Sequence, residues 1–401
     1  MAFLLGAVAF VVALLISVML HEAGHLIPAK RFGMKATQYF VGFGPTLWSR
    51  RKGETEYGVK AVPLGGYVRI VGYTSLEEIP EADRPRAFYR QPAGRRAVVI
   101  AGGVVMNFAF AFLLLMLIAM AVGIRVPGTA TSTVETVSPC VPANVRAACT
   151  EGDPPSPAAA AGLRRGDRVV SYDGRPVADW AQLRRAITTS RPGQTVRLTV
   201  ERPAPGGART LTVQVRLASA GGAPFLGMSS RVVGERYERA GPIDATVFAT
   251  RVIGRTLGAI GRALADLPAA VPHLFSEDRG STPGGQVGSV VGATGVSGQI
   301  FASESSWQDK VVLYLSLVVS VNLFLGALNV IPLLPLDGGH LAIVGYERAR
   351  ALYARMRGRP DPGAVDVRRL LPVTYLAVVL LIGLGVLLIL ADLVNPLRLP
   401  E

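Results

Sequence analysis

His21-Glu22-Ala23-Gly24-His25 sets two imidazoles four residues apart with a carboxylate between them. On a helix, positions i and i+4 share a face, so both rings can bind one metal ion. Glu22 falls beside them and can take a proton from water acidified by zinc. A catalytic zinc takes three protein ligands and keeps a further position open. The other histidines, His273 and His340, read as an outer-loop residue and an interfacial residue. The better third ligand is Asp337, in LNVIPLLPLDGGH, just after the helix-breaking Pro332 and Pro335. Asn329, about two turns earlier, fits either a donor to the oxyanion of a tetrahedral intermediate or an interhelical hydrogen bond.

The elements that must hold these groups are membrane spans. Half of the 401 residues are apolar and the mean hydropathy is +0.38, above the range of ordinary soluble domains. Residues 2–20 are apolar and uncharged and run directly into the histidine motif. A cleaved leader is not expected, because basic residues before the run and small residues after it are missing. Further spans are expected at about 97–122, 311–336 and 371–390. Ionisable side chains at span ends are costly and call for a function. Gly103 and Asn107 in the second span form a small-xxx-polar pair, suited to helix packing or to contact with a substrate backbone.

Basic residues set the orientation. Lys30, Arg31, Lys35, Arg50, Arg51 and Lys52 follow the first span, and Arg348, Arg350, Arg355, Arg357 and Arg359 follow the third. The positive-inside tendency puts both groups in the cytoplasm, and with them the inner ends of spans one and three. Both ionic clusters are then at one depth, as ligands of a single metal must be. Residues 127–308 and both termini fall outside. The net charge of +14 is membrane-flanking rather than a nucleic-acid footprint, so nucleic acid is not an expected partner.

The expected fold is thus an α-helical polytopic membrane protein of about four transmembrane helices with an inserted α+β domain. Residues 1–126 form the first membrane part, with short strands or hairpin turns between Lys30 and Arg96 on the membrane face. Residues 127–220 form the insert, where RVVSYDG and TVRLTVERP read as strands and DWAQLRRAI as a helix. Asp167 and Asp173 lie in it at turns, with no nucleophile nearby. Residues 221–308 comprise an outer amphipathic helix at 242–275 and a Gly/Ser-rich loop at 279–306, and 309–401 the second membrane part. Cys140 and Cys149 are nine positions apart and not in a CxxC pattern, which suits a small disulfide loop in an oxidising compartment.

Together these segments resemble the site-2 protease family of intramembrane zinc metalloproteases, in the bacterial branch with an inserted PDZ domain. HEAGH at 21–25 is similar to the family's zinc motif, and LNVIPLLPLDGG at 328–339 to its second signature. The resemblance implies His21, His25 and Asp337 as Zn2+ ligands, Glu22 as catalytic base and Asn329 as an active-site residue. GFGP at 42–45 and VPLGGYV at 62–68 look like the family's membrane-reentrant β segments. Added to these as an extended strand, a substrate would meet Gly42, Phe43, Gly44, Gly65 and Gly66. AAGLRRGDRVVSYDG resembles a PDZ signature. Gly103-Val104 and Gln286 stand where the family often has Gly-Pro and a Pro. The implied role is regulated intramembrane proteolysis of a membrane-spanning protein, often an anti-sigma factor after a first cleavage. Clearance of signal-peptide remnants is the alternative within enzymes, and a non-catalytic PDZ membrane adaptor the alternative outside them.

Overall fold

A computed structural model describes residues 1–73, 77–142, 149, 152–276, 279, 285, 287–360, 362–363 and 365–397. Gln286 lies outside them. The chain divides into a unit of Met1–Gly123 with Arg239–Glu401 and a second unit of Ile124–Glu238.

The first unit opens with α1 (Ala2–Arg31), which carries the histidine motif in its C-terminal third. A hairpin follows, β1 (Ala36–Lys52) with β2 (Thr55–Ile70). The two strands run 17 and 16 residues, where the sequence suggested only short strands. They stay paired through repeated register shifts, with Gly42, Gly44 and Gly65 at positive φ, the left-handed region open to glycine. Next comes α2 (Ala93–Leu117), prolonged by one wide turn over Ile118–Val122. Glycine lets α1 and α2 meet backbone to backbone: a Cβ on Gly102 would lie 2.0 Å from the Gly24 carbonyl oxygen.

The second unit is an antiparallel sheet. It is built from β3 (Ile124–Val126), β4 (Thr129–Val137), α3 (Pro157–Ala160), β5 (Arg168–Tyr172), β6 (Arg175–Pro176) and α4 (Trp180–Thr189). There follow β7 (Thr195–Ala204), β8 (Gly207–Arg216), β9 (Ala218–Ala220), β10 (Ala223–Phe225), β11 (Met228–Val233) and β12 (Arg236–Glu238). The main sheet runs β11-β4-β5-β7-β8, with β6 off β5. Leu183 and Ile187 of α4 pack on Val169, Leu198 and Val200. The unit ends at Glu238 rather than near 220, because β11 pairs with β4 and β12 with β3. Asp167 is fully buried and held by both nitrogens of a forked Arg202 contact at 2.8 Å and by the Arg164 amide, which fits its structural reading. Cys140 and Cys149 are joined, with Cα atoms 5.9 Å apart.

The first unit resumes with α5 (Pro242–Ala270), α6 (Val290–Ala302), α7 (Trp307–Val330), α8 (Asp337–Met356) and α9 (Leu371–Val394). Ala2–Arg31, Ala93–Val122, Trp307–Val330 and Arg368–Val394 are long and apolar enough to cross a membrane, making this a multi-pass membrane protein. Two expectations need correction. The Gly/Ser-rich stretch assigned to a loop contains α6, capped by the Ser289 hydroxyl and lodged against α1 through Gly298, which touches Phe3, and Ser297, which donates to the Gly6 carbonyl. The third span stops at Val330, and Asp337 begins a separate helix rather than closing that span.

Candidate metal centre

The C-terminal third of α1 presents His21, Glu22 and His25 on one side. Gly103 of α2 makes room for the rings: a Cβ there would lie 2.4 Å from His25 Nε2 and 2.7 Å from His21 Cε1. Opposite them, the proline-containing link after α7 delivers Asp337. Its fold depends on Gly338 and Gly339, whose missing Cβ atoms would meet Val330 O at 2.3 Å and Leu334 N at 2.5 Å. The start of α8 can therefore turn tightly back over the link.

Three acceptor atoms converge. His21 Nε2 lies 3.2 Å and His25 Nε2 3.4 Å from Asp337 Oδ2, and the two Nε2 atoms are 3.3 Å apart. His25 Nδ1 lies 2.8 Å from the Val99 carbonyl oxygen, which can only accept. That contact puts the ring proton on Nδ1 and turns the Nε2 lone pair toward the cluster. Asp337 Oδ2 is buried without a hydrogen-bond donor among the described residues. Two imidazoles and a carboxylate, each at most 15% exposed and within 4.8 Å of one another, are the donor set of a catalytic zinc site with a position left for water.

Glu22 is held from the hairpin. The Val68 amide donates to its Oε2 at 3.0 Å, and Tyr39 of β1 donates its hydroxyl to the Met19 carbonyl at 2.6 Å, fixing the strand pair against α1. A cavity of about 390 Å³ opens at the cluster, lined by Glu22, Val68, Tyr73, Asn107, Asn329 and His340 among others. Asn107 is 1% exposed, and neither its amide nitrogen nor its oxygen finds a partner among the described residues. Asn329 lines the same cavity. Interhelical hydrogen bonds from α7 to α1 are made by Asn322, which donates to Ser17 Oγ at 2.9 Å, and by Tyr314, whose hydroxyl donates to the Ala9 carbonyl at 2.9 Å.

The structure thus brings His21, Glu22, His25, Asp337, Asn107 and Asn329 to one place. Gly42, Phe43, Gly44, Gly65 and Gly66 sit further along the hairpin, which reaches the cavity through Val68 and Ile70. His340, read from sequence as an interfacial residue, lies on the cavity wall with its ring 5.1 Å from that of Tyr73. Tyr73 was not legible as a site residue. Burial, then the charges of Asp337 and Glu22, push its hydroxyl well above the usual range, so it keeps its proton as a donor.

Residues 9–359 match the profile of Peptidase family M50. The chain is 38% identical over 414 residues to the zinc metalloprotease Rip1 of Mycobacterium tuberculosis, covering 100% of both chains. It is 35% identical to Rip1 of Mycolicibacterium smegmatis, covering 99% of both. It is also 26% identical to the regulator of sigma-E protease RseP of Escherichia coli, covering 87% of this chain and 92% of that one. A donor set suited to zinc, a carboxylate beside it and a profile match over most of the length agree: the chain belongs to peptidase family M50, the site-2 proteases, and is a zinc metalloendopeptidase.

Proposed function

We propose that this protein cleaves the transmembrane segments of other membrane proteins, with His21, His25 and Asp337 holding the zinc. The observation that carries this reading is the position of the cluster. It is built from the end of one membrane span, the start of another and the link after a third, beside a cavity lined by Asn107, whose amide has no partner among the described residues. Zinc bound there supplies Lewis acidity toward water and toward the scissile carbonyl.

The protein's own groups do the rest. Glu22, oriented by the Val68 amide, accepts the proton of the attacking water and passes it to the leaving amine. Asn329 donates to the developing oxyanion from the cavity wall. Asn107, desolvated and without a partner among the described residues, offers both a donor and an acceptor to the substrate backbone. A substrate helix must unwind before its amides are available, since its backbone groups are otherwise paired. The β1–β2 hairpin, through Gly42, Phe43, Gly44, Gly65 and Gly66, supplies replacement main-chain partners by strand addition.

The inserted unit is read as a PDZ-like module outside the membrane, the side on which both termini also fall, with the active site toward the cytoplasm. The substrate class is a membrane-spanning regulator such as an anti-sigma factor that has already lost its outer domain. RseP is named as a regulator of sigma-E and is related over most of both chains, which supports that assignment.

The test is cleavage of a model transmembrane substrate by full-length protein in detergent. Wild type, Glu22→Gln, and wild type with a zinc chelator are compared. Activity lost in both arms, with zinc retained by Glu22→Gln, is the expected result. Cleavage indifferent to both overturns the mechanism. Substrates trapped by Glu22→Gln in cells decide the class: an anti-sigma factor supports the reading, and signal-peptide remnants replace it.

A further inference from the structure

Helix α5 carries a surface that the proteolytic reading does not use. Phe248, Val252 and Leu257 on one side pack against Ala111 and Ile118 of the second span and Val319 of α7. These contacts lie at the end of α2 and, with Val312 and Leu315 beside Val319, in the first half and at the middle of α7, whereas Asp337 follows the last turn of α7. The helix is therefore seated at the far end of the spans from the metal cluster.

Its other side presents Arg251, Arg255 and Arg262, all exposed, at spacings of four and seven residues. That spacing is one helical face, a row about 16 Å long at 1.5 Å per residue. No ion pair or hydrogen bond engages these side chains among the described residues; Asp244, seven residues before Arg251, and Asp266, four after Arg262, share the face and close the row at its two ends. Between the arginines the surface is recessed. A Cβ on Gly254 or Gly261 would meet nothing within 4 Å, and one on Gly258 would meet only the Arg262 guanidinium, at 3.7 Å. The same face runs into exposed apolar residues, Ile243 at 80% and Val247 at 49%.

We infer that this face binds the headgroups of anionic phospholipids, with Arg251, Arg255 and Arg262 engaging phosphodiester oxygens and Ile243 and Val247 entering the acyl boundary. A guanidinium presents a planar fork of donors that matches phosphate oxygens. An arginine row next to exposed apolar side chains, on a helix docked at the end of membrane spans, is the arrangement of an interfacial helix. An acidic protein segment would satisfy the arginines but would leave Ile243 and Val247 facing solvent.

The experiment titrates full-length protein in zwitterionic detergent with tail-labelled phosphatidylglycerol, and with phosphatidylcholine of the same tails. It compares wild type with Arg251→Gln/Arg255→Gln/Arg262→Gln. A charge-matched control, Arg191→Gln/Arg209→Gln/Arg216→Gln, removes three exposed arginines from the inserted unit. Each α5 arginine should contribute about fivefold and the three together about a hundredfold to phosphatidylglycerol affinity, with a steep dependence on salt. The control should remain within about twofold of wild type, and phosphatidylcholine should not bind measurably. Equal loss in both triple variants, or no loss in the α5 variant, overturns the inference. So does displacement of the lipid by millimolar inorganic phosphate, which would mark a small-anion site. Tighter binding of a polyglutamate peptide to the same arginines would reassign the face to an acidic protein. If the triple variant fails to fold, Arg255→Gln alone should show the single-residue, roughly fivefold effect.

Discussion

Gly103→Ala should disable the metal centre without unfolding the spans. The new methyl would lie 2.4 Å from His25 Nε2, 2.6 Å from its Cε1 and 2.7 Å from His21 Cε1, where ordinary contact begins near 3.4 Å. The ligand atom must therefore retreat by about 1 Å, and a displacement of that size at a reacting centre costs on the order of a hundredfold in rate. The rings cannot simply swing aside, because His25 Nδ1 is tied to the Val99 carbonyl of the same helix as Gly103. Zinc affinity should fall at least tenfold, the scale seen when supports of a metal ligand are lost. The assay is zinc content per protein after dialysis against graded chelator, alongside cleavage of a transmembrane substrate and thermal unfolding in detergent. Gly102→Ala is the contrast. Its methyl strikes the Gly24 carbonyl at 2.0 Å, backbone against backbone, so it should lower thermal stability as well. Full zinc content and cleavage within about twofold of wild type in Gly103→Ala would refute the claim that this glycine sets the ligand geometry.

Other expectations follow from the same contacts. Val68→Pro removes the amide that donates to Glu22 and should lower kcat about tenfold with zinc retained, the size of a hydrogen bond to a charged group; Val68→Ala should leave kcat near wild type. Asn107→Leu should raise KM while zinc content stays the same, since both amide atoms are unpartnered among the described residues; an unchanged KM would return Asn107 to a packing role. In the inserted unit, burial alone would push the Asp167 carboxyl up, but the Arg202 fork and the Arg164 amide outweigh it and hold the group below its usual range. Its contribution to stability is then complete above the unfolded value near ~4 and fades as pH falls through the folded value. Protection of the Val169 and Val200 amides from hydrogen exchange in the full chain, corrected for the intrinsic rate at each pH, should fall on acidification. Arg202→Leu leaves burial as the largest influence on Asp167, so the loss of stability on acidification should vanish or reverse, at a cost of about 3 kcal/mol near neutral pH.

The spans and the zinc motif were legible because each is written in local sequence: an apolar run is a span by length, and HExxH is a helical face by spacing. Asp337 was legible as a candidate ligand but not as the first residue of a new helix. The prolines at 332 and 335 signal a break, yet the turn back depends on Gly338 and Gly339 closing over Val330 and Leu334, contacts that composition does not reveal. Helix α6 was hidden because glycine and serine read as loop, whereas here they are the small residues that let a helix lie against α1. The grip of Val68 on Glu22 was out of reach, since it joins a strand amide to a side chain 46 positions away. Gly103 was recognised as a packing residue, and only the three-dimensional arrangement shows that what it accommodates is the pair of imidazoles.

The two halves of the metal site are separated by more than 300 residues of chain. At ordinary synthesis rates, roughly 15 to 60 s pass between the emergence of His25 and that of Asp337. Throughout that interval the nascent protein holds His21, Glu22 and His25 without Asp337, the proposed third ligand. On the proposed ligand set, a protease that works among the transmembrane segments of its neighbours would be inert while it is being made, and a product ending before α8 should lack activity. Dividing the proposed ligands between the first span and the start of α8 would make completion of the chain the step that arms the enzyme.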